Sequence, residues 1–228
     1  MPFPQTVTVI IPALNEAGNI AELVAAVLAQ PVDQVIVVDN GSTDETGARA
    51  EAAGALVVRE ERRGYGYACA AGVAEASGEI LVFLDGDFSF SPAELPRLIE
   101  PIQQGAADLV LGSRVLGHIA PGAMPPHQRF GNRLTAWLMG LLYRVKVTDL
   151  GPYRAVRGEV LRGLGMAEMT YGWPTEMMVK AARQRVRIQE VPVSYASRRA
   201  GKSKVSGTVR GSLLAGWYIL SVTLRYAR

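Results

Sequence analysis

Short, wholly apolar runs that stop at loop-forming residues recur through the first half of the chain, and segments with helical spacing separate them. Residues 7–11 end at Pro12, after which Ile20, Leu23, Val24, Val27 and Leu28 repeat at three- and four-residue intervals. Residues 35–38 end at Asp39-Asn40-Gly41, and further runs follow at 55–58, 80–84 and 109–111. A short run with no polar alternation reads as a strand buried on both faces, the condition met when helices cover both sides of a parallel sheet. The alternation therefore predicts an α/β fold with a mostly parallel central sheet flanked by helices. Ligands of such sheets gather at the carboxyl ends of the strands. The loops at 12–16, 39–44 and 85–87 all fall there, which makes them one candidate nucleotide site.

Local signals fill in the connections. Ser42 and Glu45 have the spacing of a capping box for a helix reaching Ala53, and Ser91-Pro92-Ala93-Glu94 repeats it with a first-turn proline for a helix to about residue 104. Residues 67–76 are small and suit a close-packed helix. The glycine- and proline-rich stretch 117–126 reads as a loop or lid. Phe130, Leu134, Trp137, Leu138, Leu141 and Leu142 then mark one helical face. A strand over 187–195, a basic stretch over 198–204 and a helix over 207–226 complete the chain.

Size and charge set the class. With 228 residues and 49% hydrophobic composition the chain can bury a full core; the expected organisation is one catalytic domain over 1–205 and a carboxyl-terminal helix over 206–228. Twenty-four basic against 21 acidic residues, a net charge of +3 with no polycationic tail, give no indication of a nucleic-acid partner. Cys69 is the only cysteine, so no intrachain disulfide can form; a packing role and a cytoplasmic setting are expected. The amino terminus lacks the pattern of a secretory signal, and the apolar stretch 213–224 is shorter than the ~20 residues that span a bilayer.

Asp85-Gly86-Asp87 carries the chemistry. The glycine turn can aim both carboxylates at one ion, and magnesium or manganese favours such oxygen ligands and shares its shell with substrate phosphates. Taken alone the tripeptide is a solvated acidic turn; its place at a strand end beside two other loops argues for a metal-diphosphate site. Gly64-Tyr65-Gly66 reads as a tight turn, and His118 and His127 lack the spacing of metal ligands.

Together these segments resemble the family 2 glycosyltransferases of GT-A fold, in the branch of dolichol-phosphate and polyprenyl-phosphate sugar transferases. The resemblance rests on Val9-Ile10-Ile11-Pro12-Ala13-Leu14-Asn15-Glu16, Val37-Val38-Asp39-Asn40-Gly41-Ser42-Thr43-Asp44, Asp85-Gly86-Asp87 and Gly112-Ser113-Arg114, followed by Arg129 with Asn132, Gly151 with Arg154, Glu176-Met177, Glu190-Val191-Pro192 and Ser203-Lys204. It implies that Pro12, Ala13, Glu16 and Asp39 line the base and ribose of a UDP- or GDP-hexose, and that Asp85 and Asp87 meet its diphosphate through Mg2+ or Mn2+. The sequence departs from the family at Asn40, where an aspartate is frequent, and at Ser89, where some lipid-phosphate relatives carry glutamine.

The acceptor side has fewer signals. Arg129 and Arg133 stand one helical turn apart, where like charges repel by about 0.2–0.5 kcal/mol, so a phosphate would relieve them; the resemblance assigns that role to Arg129. Arg114, beyond a strand end, is a candidate sugar or phosphate contact. The 198–204 stretch, with Arg198 and Lys204 as its chief contacts, reads as a flexible phosphate clamp. Glu176 is either a general base or the partner of Lys180 four residues on. Leu213, Trp217, Leu220 and Leu224 share a helical face that either packs or lies at a membrane interface. The resulting expectation is a metal-dependent, inverting hexosyltransferase acting on polyprenyl phosphate, peripheral on the inner face of the cytoplasmic membrane. The rivals are a transferase with a soluble acceptor and a noncatalytic nucleotide-sugar sensor.

Overall fold

The computed structural model describes residues 5–200 and 209–226. Its centre is a seven-stranded sheet built from β1 (Val7–Ala13), β2 (Gln34–Asp39), β3 (Leu56–Arg59), β4 (Ile80–Phe83), β5 (Leu109–Ile119), β6 (Arg154–Arg157) and β7 (Ile188–Tyr195). The strand order is β3-β2-β1-β4-β6-β5-β7. Pairing is parallel except where β6 inserts antiparallel between β4 and β5. The mostly parallel sheet expected from the apolar runs is present.

Helices cover both faces: α1 (Ile20–Leu28), α2 (Thr46–Ala52), α3 (Tyr65–Glu75), α4 (Leu95–Gln103), α5 (Pro126–Tyr143), α6 (Gly158–Gly163), α7 (Trp173–Arg183) and α8 (Val209–Arg225). The period of two divides each strand between two cores. Val9 and Ile11 of β1 join α1 and α4 on one side, while Ile10 meets α3 on the other, in the core that also holds Met177 and Met178 of α7. That double burial explains why these strands carry no polar alternation.

Three local expectations are corrected. Ser42 does not cap α2, which begins at Thr46; its Oγ accepts from the Asn15 backbone at 2.9 Å instead. Glu94 does not complete a box with Ser91, because its carboxylate accepts from the backbone N–H and hydroxyl of Ser194 at 2.8 and 3.1 Å. In both places a tertiary donor outcompetes the local one. The stretch 117–126 is a loop only from residue 120, because β5 continues through Gly117 and pairs with β7 again at His118 and Ile119 after a bulge. A side chain at Gly117 would place its Cβ 2.1 Å from the Val193 carbonyl oxygen, so glycine here permits close strand approach.

In α5, Thr135 and Met139 are the buried residues, whereas Phe130, Trp137 and Leu141, on the helical face that the spacing marks, are exposed. The inner side of α8 packs against α5 and α7, with Val222 and Thr223 buried, while Trp217 and Leu224 face outwards. The Leu213 side chain lies outside the described residues. Among the described residues no helix is long and apolar enough to cross a membrane.

Candidate functional site

The carboxyl ends of β1, β2 and β4 bring the three predicted loops together. Asn15 accepts from the Thr43 backbone N–H at 2.8 Å, Asp44 from Ala17 at 3.2 Å, and Thr46 Oγ1 from Glu16 at 2.8 Å. Asp39 turns back to accept from the Ser42 backbone at 2.8 Å. Gly86 seals the third loop against the first: a Cβ there would lie 3.3 Å from the Pro12 carbonyl oxygen and 3.5 Å from Ala13 Cβ and Glu16 Cγ. Pro12, Ala13, Glu16, Asp39, Asp85 and Asp87 therefore belong to one cradle.

Arg198 closes that cradle. Its Nη2 donates to Glu16 Oε1 at 3.0 Å and to Asp87 Oδ2 at 3.2 Å, while its buried Nη1 has no hydrogen-bond partner among the described residues. Desolvation opposes its charge, but Glu16 and Asp87 hold its pKa above the ordinary value. A buried N–H without an acceptor costs about 1–3 kcal/mol, so Nη1 has room for one further acceptor. Lys204, the other clamp residue, lies outside the described residues.

Asp85 and Asp87 differ in surroundings. Asp87 accepts from the Ser89 backbone at 3.0 Å and from Arg198. Asp85 is held by the Tyr65 hydroxyl at 3.2 Å, and burial together with the Asp87 charge pushes its pKa up to about 7. Two carboxylates and no larger ligand set suit a divalent ion that takes the rest of its shell from a diphosphate, rather than a closed protein cage. Among the described residues no group of three or more His, Cys, Asp or Glu side chains could hold a metal alone.

Behind the carboxylates lies Arg154, which the sequence reading quoted without a role. It pairs with Phe83 across β6 and β4 and is 1% exposed. Carbonyls hold its guanidinium: Pro174 at 2.8 Å, Leu150 at 3.2 Å, and Gly151. Burial lowers its pKa to about 10, and Tyr65, Asp149 and Asp85 counter that pull. Tyr65, expected in a tight turn, instead opens α3; the glycines on either side of it are the available signal. Asn40, the departure in the second loop, points inward, donating to Glu60 and Arg62 carbonyls at 2.9 and 2.7 Å.

Of the remaining candidates, Arg114 lies within electrostatic reach of Asp85. Arg114 is clamped by buried Asp149 through contacts of 2.7–2.8 Å from its backbone, Nε and Nη2, and stacks over Tyr195 at 5.1 Å. Burial opposes its charge, but Asp149 keeps its pKa raised. Arg129 is exposed in the first turn of α5 and donates Nε to the Met124 carbonyl at 3.1 Å; no described contact joins it to Glu16, Asp85 or Asp87.

Glu176 makes one of its two expected contacts. It is fully buried, with one oxygen accepting from the Ala167 and Glu168 backbones at 2.9 and 2.8 Å. The other meets Lys180 at 2.9 Å and the Tyr226 hydroxyl at 2.8 Å. Burial raises its pKa, but these donors outweigh it and leave the net shift downward. Both of its oxygens are thus occupied by donors, which favour the ionised form. The Lys180 pairing is the alternative that forms, and Glu176 ties α7 to α8.

Comparison with known proteins agrees with this geometry. Residues 8–165 match the profile of glycosyl transferase family 2. An uncharacterized glycosyltransferase of Mycobacterium tuberculosis is 40% identical over 218 residues, covering 94% of this chain and 98% of that protein. Undecaprenyl-phosphate mannosyltransferase of Micrococcus luteus is 33% identical over 223 residues, 90% of this chain and 89% of that one. In fold, the chain superposes on glucosyl-3-phosphoglycerate synthase of M. tuberculosis, solved with Mn2+, uridine diphosphate and phosphoglyceric acid. The TM-score is 0.79 at 24% identity, over 98% of this chain and 78% of that one.

Proposed function

The chain belongs to glycosyl transferase family 2, and we propose that this glycosyltransferase moves a hexose from a nucleoside diphosphate sugar to polyprenyl phosphate with inversion. The observation that carries the acceptor choice is the saturation of Glu176. An acceptor hydroxyl needs a general base, whereas a phosphate monoester, with a second pKa near 6, arrives largely ionised. The similarity to an undecaprenyl-phosphate mannosyltransferase over nearly the full length of both chains supports the same choice.

On this reading Asp85 and Asp87 hold Mg2+ or Mn2+, which supplies Lewis-acid stabilisation of the departing diphosphate. The protein does the rest by position. Pro12, Ala13 and Asp39 wall the nucleoside, Glu16 anchors Arg198, and the unsatisfied Nη1 of Arg198 gives the diphosphate a charge-assisted donor. Acceptor oxygen attack on the anomeric carbon breaks its bond to the donor phosphate, and the diphosphate leaves with the bonding electrons.

The deciding measurement is a mass-spectrometric screen of UDP- and GDP-hexoses against polyprenyl phosphate and soluble hydroxyl and phosphate acceptors, with and without Mg2+ or Mn2+. Glycosyl phospholipid formed only with metal is the expected product. Turnover confined to a soluble acceptor overturns the lipid reading, and tight donor binding without any turnover favours a sensor.

A further inference from the structure

Asn40, Gly64-Tyr65-Gly66 and Asp85 lie far apart in sequence but form one connected layer beneath the cradle. The Asn40 side chain uses both of its ends there. Its Nδ2 donates to the Glu60 and Arg62 carbonyls at 2.9 and 2.7 Å, and its Oδ1 accepts from the Gly64 backbone N–H at 3.0 Å. Residues 60–64 are thereby stapled to the end of β2. An aspartate at this position would face the two carbonyls with acceptors only, whereas an amide supplies donors on one side and an acceptor on the other.

The staple delivers Tyr65. A Cβ at Gly64 or at Gly66 would collide with the backbone carbonyl oxygen of Met169 or of Glu168 respectively, and the Gly66 N–H donates to the Met169 carbonyl at 3.1 Å. The two glycines therefore let the start of α3 lie directly on residues 168–169, a segment that Glu176 holds in turn through the Ala167 and Glu168 backbones. The Tyr65 ring packs against the core that includes Met177 and Met178, and its hydroxyl reaches Asp85 Oδ1 at 3.2 Å. Among the described residues it is the one hydrogen-bond donor to that carboxylate.

From this we infer that Tyr65 is a positioning residue for the metal: its hydroxyl fixes Oδ1 of Asp85, so that the carboxylate meets the ion already oriented. This role rests on the assignment of Mg2+ or Mn2+ to Asp85 and Asp87. A carboxylate on a loop can turn about its own bond, and a ligand that must be frozen as the ion binds loses affinity. A hydrogen bond from a packed ring removes that freedom beforehand. A phenol suits the task, because it stays protonated near neutrality, donates one hydrogen bond and carries no charge to compete with the ion. Asp87 is held differently, by the Ser89 backbone and Arg198, so Tyr65 acts on one carboxylate of the pair alone.

The test is a Mn2+ titration of the full chain without nucleotide or acceptor, free Mn2+ being counted by electron paramagnetic resonance. Tyr65→Phe keeps the ring and removes only the hydroxyl. It should weaken Mn2+ binding about tenfold with an unchanged melting curve in chelator, and saturating Mn2+ should restore its turnover towards that of the parent. Asn40→Ala frees residues 60–64 and should weaken Mn2+ binding in the parent but scarcely further in Tyr65→Phe, because it acts through the same hydroxyl. Equal Mn2+ affinity in the parent and Tyr65→Phe, whatever the melting curves do, overturns the inference and leaves the metal at Asp85 and Asp87. Costs of Asn40→Ala and Tyr65→Phe that simply add overturn the link between the staple and the hydroxyl. A parent that binds no Mn2+, or binding that survives Asp87→Asn undiminished, overturns the metal assignment and this role with it.

Discussion

The donor cradle and the α5–α8 face are built on opposite principles. In the cradle, three loops are cross-tied by directional hydrogen bonds, and its arginine, Arg198, is shared between two carboxylates. On the α5–α8 face, cations have no acidic neighbours in the sequence, and aromatic rings point outwards. The first arrangement recognises a ligand of fixed shape by preorganised polar contacts. The second has few such ties, and its side chains are placed by the packing of α5 against α8.

The comparison breaks most readily at Asp87. Asp87→Asn removes half of the paired charge and should lower turnover about a hundredfold to a thousandfold, read as product formed per enzyme by mass spectrometry, with a melting curve to check that the variant is folded. Glu176→Gln should stay within about tenfold of the parent in turnover yet lose about 1–3 kcal/mol of stability in a urea titration, because its buried donors lose a charged acceptor. A reversal of that order, with Glu176→Gln inactive and Asp87→Asn near normal, would return the base role to Glu176.

A smaller effect sharpens what Arg198 does. Its guanidinium sits on Asp87 Oδ2, the carboxylate expected to meet the metal, so the arginine stands as a surrogate cation there. Arg198→Gln should tighten Mn2+ binding about tenfold without nucleotide, by vacating that carboxylate, and weaken uridine diphosphate binding in saturating Mn2+ by about as much. Free Mn2+ is counted by electron paramagnetic resonance and nucleotide affinity by calorimetry. Two affinities that move in the same direction would reduce Arg198 to a structural tie.

How much was legible follows the same division. The buried strands and the three loops could be read because each depends on residues close in sequence: an apolar run, a glycine, a pair of carboxylates. Ser42, Glu94 and residues 117–119 misled because distant partners, namely Asn15, Ser194 and the Val193 strand, outcompeted the local pattern. Arg154 was opaque for a related reason: its burial rests on carbonyls from positions 150, 151 and 174 that no local rule connects. For α5 the periodicity marked an apolar face but carries no information on whether it is buried, and Phe130, Trp137 and Leu141 are exposed.

The smallest effect concerns the carboxylate whose surroundings are least like water. Asp85 has its pKa raised from 3.8 to about 7 by burial and by the charge of Asp87. A folded-state pKa above the unfolded value means that the native protein binds the proton more tightly, so stability from this group is complete below about pH 4 and is lost as pH rises through about 7. In metal-free protein, Asp85→Asn should therefore raise the melting temperature by a few degrees at pH 8 and scarcely at pH 4. Mn2+ should reverse the ranking at pH 8, stabilising the parent, whose two carboxylates can then share a cation, but not the variant. Melting curves across this range, with chelator and with Mn2+, measure both. A stabilisation that shrinks as pH rises would mean that the Asp85 carboxylate is favoured in its ionised form without metal, and that the cradle is balanced by its own cations.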